Sequence, residues 1–534
     1  MSLAASETTR PPGRWTAHVE VVRHAAARHE TLLGAAAVTA IALAAYLLHL
    51  LGDVGFWDTG AFQAAAPTLG LVHPTGYPTY LLLGWLFTTL VPLGNAALEM
   101  NLLGALSGAL AVGAVHVLAR ELRSGTIVAA AAALTFGLTA AFWRTSIRAD
   151  PHPLHVLLAL AVILLLLEWH GRGHPYRLLA IATALYGLSL GNHLLAAVLA
   201  PALGAFVLAA EPGIVRRIRR LAGLALALLA GAAVYLYIPL RAAAGPAIHH
   251  DYAPTTWDLF WRYVLGRDFG SGMGFLTTDG PAIAAGRFGA FFNSLVDGSS
   301  LAVAVGLLLL GLGGLVVVAR RDWRIALLLG LAGGLTLYAA LTYVNADIER
   351  YYFLPLALLA ALAACGAQAL LDRAAAAQPE MATAGVALLL VPAALAWTNA
   401  DHATARTARC YADATLAAVA PRAIVMSWWS YATPLWYALH VDGERPDVEV
   451  VLGDATIPAE LERRFPDGRP IYLIQHEAQL EEIRRRYLLE PVKACGETLQ
   501  RVVGPRPGEL TKRARADEPR TGARAGTTPT GSLL

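Results

Sequence analysis

Charge is what this 534-residue sequence has least of: Asp, Glu, Lys and Arg together make up 15% of it. An average soluble domain carries roughly 25%. That shortfall excludes an ordinary water-soluble chain of this length. The net charge of +3 gives no argument for a nucleic-acid partner. No G-x-x-x-x-G-K-[ST] loop is present to cradle a nucleotide phosphate, and no Cys/His cluster has zinc spacing, which argues against a cytoplasmic nucleotide-driven machine. Cysteine is scarce as well, with three in all. Cys365 lies in an apolar run, whereas Cys410 and Cys495 fall in the polar C-terminal part. Those two can pair only if that part lies outside the cytoplasm and the geometry allows it, which sequence does not fix. Internal repeats and long low-complexity linkers are not evident.

What the sequence has is apolar length: 56% of its residues are hydrophobic, gathered in runs of membrane-spanning size. It reads as an α-helical polytopic membrane protein. Residues 1–30 are polar and basic, with Arg10, Arg14, Arg23 and Arg28. No small-residue cleavage site follows the next apolar run, which argues against a removed signal peptide. Spans are predicted at 31–51, 98–119, 127–143, 154–168, 178–190, 194–210, 221–239, 301–319, 325–343, 353–371 and 383–398, about eleven in all. The run at 77–92 is predicted to be interfacial or re-entrant. With that choice the densest arginine clusters fall on one side, as the positive-inside rule requires, and the N-terminus is cytoplasmic. Asp58, Asp150, His193, Arg241 and Arg350 then all come to the opposite, outer face.

After residue 400 the composition becomes that of a soluble domain. Strand-like runs at 423–428, 448–452 and 471–474 alternate with helix-like stretches at 404–418, 459–464 and 477–487. The expected organisation is a cytoplasmic segment 1–30, a membrane domain 31–400, an extracytoplasmic α/β domain 401–503 and a disordered tail 504–534.

The richest chemistry lies at 53–86, where Trp57, Asp58, Thr59, Gln63 and His73 sit among Pro67, Pro74, Gly76 and Pro78. Polar groups and broken backbone are tolerated at membrane depth only beside water or a protein cavity, so an acid there is a functional candidate. Asp58 and Asp150 can converge, one as general base and the other holding a metal or a donor group; alternatively each caps a helix or pairs with Arg144 or Arg148. His73 lies in a His-Pro-Thr-Gly-Tyr-Pro turn that suits a ligand-facing loop or simply a rigid re-entry. Asn192 and His193 break an apolar stretch, His193 serving either a phosphate or sugar, or structure alone. Arg241 and Arg350 sit at membrane boundaries beside aromatics, as interfacial anchors or as clamps for an anionic phosphate.

Trp57-Asp58-Thr59-Gly60, Ala64-Ala65-Ala66, Leu69-Gly70 and His73-Pro74-Thr75-Gly76-Tyr77-Pro78 together resemble the hallmark of the membrane family known as DUF2723. That family includes the TMEM260-type protein O-mannosyltransferases and is similar to the wider GT-C glycosyltransferases. Further matches run through Gly187 to His193, Tyr237 to Arg241, Glu349-Arg350-Tyr351, Pro434 to Tyr437 and Arg445 to Val448. The resemblance implies a GT-C-like bundle and a sugar, mannose or another hexose, carried on a polyprenyl phosphate. It implies transfer to a protein or lipid hydroxyl outside the cytoplasm, with Asp58 as base and Asp150 where relatives often have Glu. Trp57, His73, Tyr77, Asn192, His193, Arg241 and Arg350 are the expected substrate-binding residues. Two acids can hold a divalent cation, although the resemblance equally implies a transferase that needs none. Two departures stand out: Ala61 replaces a common Glu, and Thr75 the second proline of His-Pro-Pro-Gly. A lipid or glycan transporter and a non-catalytic assembly subunit of the cell envelope are the rival readings.

Overall fold

The structure, a computed structural model, describes residues 14–249, 252–272, 274, 277–296, 301–345, 347–377, 407–453 and 457–507. The chain forms two compact units that divide between Arg406 and Thr407.

The first unit is helical. Among the described residues, seven helices are long and apolar enough to cross a membrane, or eight if one bent pair counts as a span. Ala96–Glu121 is the most buried of these. Its small residues, Gly104, Ala105, Ser107, Gly108, Ala109 and Ala111, let neighbouring helices approach closely. The long helix running from Ile348 to Ala376 is nearly as enclosed, whereas Ile218–Ala244 exposes most of its apolar surface, as a lipid-facing helix does. Around the central pair, Phe142, Trp143, Trp169, Phe206 and Phe353 fill one continuous core.

Four features depart from the sequence expectation. The first helix, Arg14–Leu48, starts well before residue 31. The stretch 127–143 is two helices, Thr126–Gly137 and Ala140–Ser146, bent by 71°. The break falls where Gly137 ends the first helix and Thr139 Oγ1 donates back to the Phe136 carbonyl at 2.9 Å. Residues 194–210 begin as a 3-10 helix, Leu194–Leu199, before Ala200–Ala210. The long loop expected after Arg241 contains two helices, Trp257–Val264 and Gly280–Val296. The last expected span, 383–398, lies outside the described residues.

The run expected to be interfacial or re-entrant is the second of two short helices, Trp57–Thr68 and Pro78–Leu90, of 12 and 13 residues. A bilayer core needs about 20. The turn between them is pinned from behind: Leu71 N–H donates to Ile248 O at 2.8 Å, Tyr237 Oη donates to Gly70 O at 2.6 Å, and Tyr263 Oη donates to Val72 O. Gly76 is obligatory here. Its φ is +86°, and a Cβ would lie 2.7 Å from the Tyr263 ring.

The second unit is an α/β layer with a five-stranded sheet in the order β2-β1-β3-β5-β4. Strands β1 (Ile424–Ser427), β2 (Glu449–Leu452) and β3 (Ile471–Ile474) are parallel, and β4 (Tyr487–Ala494) and β5 (Glu497–Pro505) form an antiparallel hairpin. The hairpin and the helix Trp429–His440 were not expected. β5 also carries ordered chain past residue 504, where a disordered tail was expected; residues from 508 lie outside the description. The hairpin turn is Cys495-Gly496, both at positive φ, as a two-residue hairpin loop requires. Cys495 is disulfide-bonded to Cys410 on the helix Thr407–Ala418, with a Cα–Cα distance of 5.8 Å.

Candidate active site

Asp58 occupies the first turn of Trp57–Thr68, and Asp150 is the N-cap of Pro151–Gly171. One guanidinium joins them: Arg350 Nη1 lies 3.3 Å from Asp58 Oδ2 and 2.9 Å from Asp150 Oδ2, while its Nη2 bonds Asp347. These groups, up to 292 residues apart in the chain, form one cluster.

The two aspartates have unlike surroundings. The Asp150 side chain is 1% exposed and both oxygens are engaged. Oδ1 accepts the His152 backbone N–H at 2.9 Å and lies 2.7 Å from His152 Nδ1. Beside a carboxylate that nitrogen is the protonated one. Burial works to raise the Asp150 carboxyl pKa, but His152 and Arg350 overcome it and hold the group well below the ordinary carboxylate range. The Asp58 side chain is 28% exposed and has His73 Nδ1 at 4.0 Å. His73 Nε2 in turn lies 3.1 Å from Tyr77 Oη. Asp58 is therefore the carboxylate of the pair that meets water.

Both acidic segments hang from a buried amide pair. Gln63 Nε2 donates to Asn101 Oδ1 at 2.8 Å, and Gln63 Oε1 accepts Gly55 N–H at 2.8 Å. Asn101 Nδ2 donates to Leu51 O at 2.6 Å and to Asp53 O at 3.2 Å, and its Oδ1 accepts Ala149 N–H at 2.8 Å. Asn101 thus fixes the chain leading to Asp58 and the residue preceding Asp150 in one frame. One turn further along the same helix, Gly104 lets the Arg148 carbonyl approach where any Cβ would collide.

Beneath Asp150 lies a group of buried rings. His193 is centred 4.6 Å from His152, 5.7 Å from His155, 5.5 Å from Tyr77 and 5.6 Å from Tyr351. Burial first, then the neighbouring histidines, push the His193 pKa well below its ordinary value, so this imidazole is neutral. Its Nδ1 accepts Leu195 N–H at 3.1 Å, which puts the proton on Nε2.

The structure thus brings together Asp58, His73, Tyr77, Asp150, His193 and Arg350. Trp57 stands beside them, 52% exposed and at φ 59°. A non-glycine residue in that region carries backbone strain of the kind concentrated at functional sites. Asn192 Nδ2 donates to Pro151 O at 3.0 Å, tying two helices, and Arg241 Nε donates to Leu69 O at 2.6 Å, holding the re-entrant turn. Sequence reasoning missed Gln63 and Asn101 as a brace, and His152 and His155. Two polar residues in helices otherwise rich in Ala and Leu were the available signal. Among the described residues no three His, Cys, Asp or Glu side chains are arranged to hold a metal ion. Between Asp58 and Asp150 stands the Arg350 guanidinium.

Residues 58–213 match the family model of the protein O-mannosyl-transferase TMEM260 N-terminal domain. Mouse protein O-mannosyl-transferase TMEM260 is 30% identical over 224 residues, which cover 40% of this chain and 31% of the mouse protein. The match therefore spans less than a third of that relative's length. Among solved structures, ArnT from Cupriavidus metallidurans bound to undecaprenyl phosphate superposes with a TM-score of 0.56 at 13% identity, covering 88% of this chain and 97% of that one. The Archaeoglobus fulgidus oligosaccharyltransferase superposes with a TM-score of 0.51 at 16% identity, covering 82% and 67%. Those likenesses show the GT-C fold, and residues 58–213 inside it are similar to the N-terminal domain of the protein O-mannosyl-transferase TMEM260.

Proposed function

We propose that the protein is a membrane glycosyltransferase that moves a hexose, mannose by the example of its relative, from a polyprenyl-phosphate donor to a hydroxyl of a protein or lipid outside the cytoplasm. The observation that carries this reading is the pairing of a water-facing carboxylate, Asp58, with a buried one, Asp150, through a single guanidinium. Asp58 accepts the proton of the acceptor hydroxyl as its oxygen attacks the anomeric carbon. The bond from that carbon to the phosphate oxygen breaks, and the released lipid phosphate carries the negative charge. Arg350, held by Asp150 and Asp347, is the cation we assign to meet that charge. A single in-line displacement inverts the anomeric centre. Asp150, with both oxygens occupied, acts as a positioning residue rather than a second proton acceptor.

Arginine-rich turns at 216–220 and 320–324 favour the cytoplasm, which leaves the Asp58 end outside. A disulfide in the C-terminal unit suits an oxidising compartment for that unit. A transporter would place its polar groups on discontinuous helices at the bilayer midplane, related by repeats. Here they gather at helix starts and in one turn.

The test is transfer of radiolabelled sugar from a panel of polyprenyl-phosphate donors to membrane proteins and lipids, comparing wild type with Asp58→Asn at equal protein level. Loss of a general base is expected to slow transfer by about 10²–10⁴-fold. Full activity in Asp58→Asn would remove that residue from the chemistry. No product from any donor, with the sugar-lipid nevertheless bound, would favour the transporter or a non-catalytic assembly subunit.

A further inference from the structure

The C-terminal unit has a built edge that the proposed chemistry does not use. β1 lies between β2 and β3. The chain leaves β1 to one side to make β2, then crosses back to the other side to make β3, so the strand order reverses at β1. Where it reverses, the two connections diverge from the carboxyl ends of the parallel strands. In open α/β sheets that divergence is where ligands bind.

The residues at this reversal are Trp428 after β1, and Gln475 and His476 after β3. Trp428 N–H donates to Ile474 O at 3.2 Å, which holds the two strand ends side by side. The Trp428 and His476 rings are centred 4.1 Å apart, the indole half-buried and the imidazole at an exposed residue. Gln475 is 8% exposed. Its Nε2 reaches the Met426 carbonyl at 3.3 Å and the Gly453 carbonyl at 3.4 Å, across the ends of β1 and β2. Its Oε1 is buried with no hydrogen-bond partner among the described residues, a costly state unless a ligand or water supplies a donor. Two helices, Trp429–His440 and Glu477–Arg486, start at this same edge, and neither N-cap side chain bonds the first turn. Their leading N–H groups have no partner within the helix.

We propose that this edge is a glycan-binding site, separate from the Asp58 cluster, that takes a neutral hexose unit stacked on Trp428. The donor and acceptor pattern selects the class. An anion would suit two helix starts, but it would meet the lone pairs of Gln475 Oε1 and the carboxylate of Glu477 in the first helical turn. A neutral polyol answers both halves, its hydroxyls donating to Gln475 Oε1 and accepting from the helix N–H groups. The apolar C–H face of a pyranose matches an indole face. An extended peptide docks by adding to an open strand edge, whereas this site presents strand ends.

The experiment uses the full-length protein in detergent and saturation-transfer NMR with methyl α-mannopyranoside, inorganic phosphate and a neutral serine-containing peptide as separate probes. The mannoside is expected to receive saturation from wild type and from Asp58→Asn, and to lose it in Trp428→Ala and Gln475→Ala, with Trp428→Phe retaining part. An unchanged melting curve and an intact disulfide control for folding of the variants. Mannoside saturation that survives Trp428→Ala and Gln475→Ala overturns the proposal. So does phosphate or peptide binding that depends on Trp428 while the mannoside gives none. Because binding is read without turnover, its failure leaves the Asp58 reading untouched, and loss of transferase activity leaves this one untouched.

Discussion

Asp150 and His193 lie close together in the same buried cluster and are shifted in the same direction, yet they make different demands on pH. Each binds protons less readily when folded than when unfolded, so each contributes stability that is complete above its unfolded pKa and lost as pH falls below it. For His193 the loss starts at about pH 6.5, the unfolded value for histidine, and for Asp150 only below about pH 3.9. The melting temperature of the protein in detergent is therefore expected to fall in two stages as pH is lowered. His193→Gln should flatten the decline that begins near pH 6.5 and leave the acid limb unchanged. Asp150→Asn should flatten the acid limb and leave the upper one. A wild-type curve that is level from pH 7 to 5 would contradict a neutral, buried His193. Asp58, with a quarter of its side chain open to solvent, is the cluster member suited to trade a proton with substrate.

At the scale of elements, the site is an assembly of helix starts held by one side chain in the most enclosed helix. Asn101 is fully buried, and among the described residues it alone bonds both the 51–53 backbone and Ala149. Asn101→Leu keeps the volume but orphans the Leu51 carbonyl and the Ala149 N–H, whereas Asp53 O and Gln63 Nε2 still bond each other at 3.3 Å. Each buried group so orphaned costs about 1–3 kcal/mol. The expected result is a lowered melting temperature and a fall in kcat larger than any change in KM, because the reacting groups lose alignment while the substrate contacts remain. Asn101→Asp, which preserves the acceptor toward Ala149 but not the donors, should fall between. If Asn101→Leu changed only stability, the brace would have no part in placing Asp58.

At the scale of the molecule, much was legible in the sequence because it is written in composition and in breakers. Long uncharged runs announced the spans, and the breakers between Pro67 and Pro78 marked the turn that sets off the run at 77–92. The convergence of Asp58, Asp150, His193 and Arg350 on one end followed from counting spans between arginine clusters. What stayed hidden depends on tertiary partners that no local pattern encodes. The Gln63–Asn101 bond joins residues 38 apart, and the 71° break at Gly137 looks like any other glycine in an Ala-rich run. Arg241 reads like Arg350, yet its Nε bonds a backbone carbonyl while Arg350 bridges carboxylates.

The disulfide was open on sequence alone, and it now makes a whole-molecule prediction. Cys410 and Cys495 are 85 residues apart and enclose β1, β2, β3 and β4. Closing a loop of that length removes denatured-state entropy worth about 4–5 kcal/mol in the chain-entropy model. The short strands of this sheet, four residues each in β1 to β3, give a small core that gains much from the crosslink. The double variant Cys410→Ser/Cys495→Ser is expected to leave the membrane unit's melting unchanged while the C-terminal unit becomes sensitive to limited proteolysis. The same sensitivity should appear in wild type after reduction, and with it a mobility shift on non-reducing gels. If reduction left the proteolysis pattern of the C-terminal unit unaltered, the crosslink would be incidental to its fold; absence of any mobility shift on non-reducing gels would remove the bond itself and with it the support for an oxidising side.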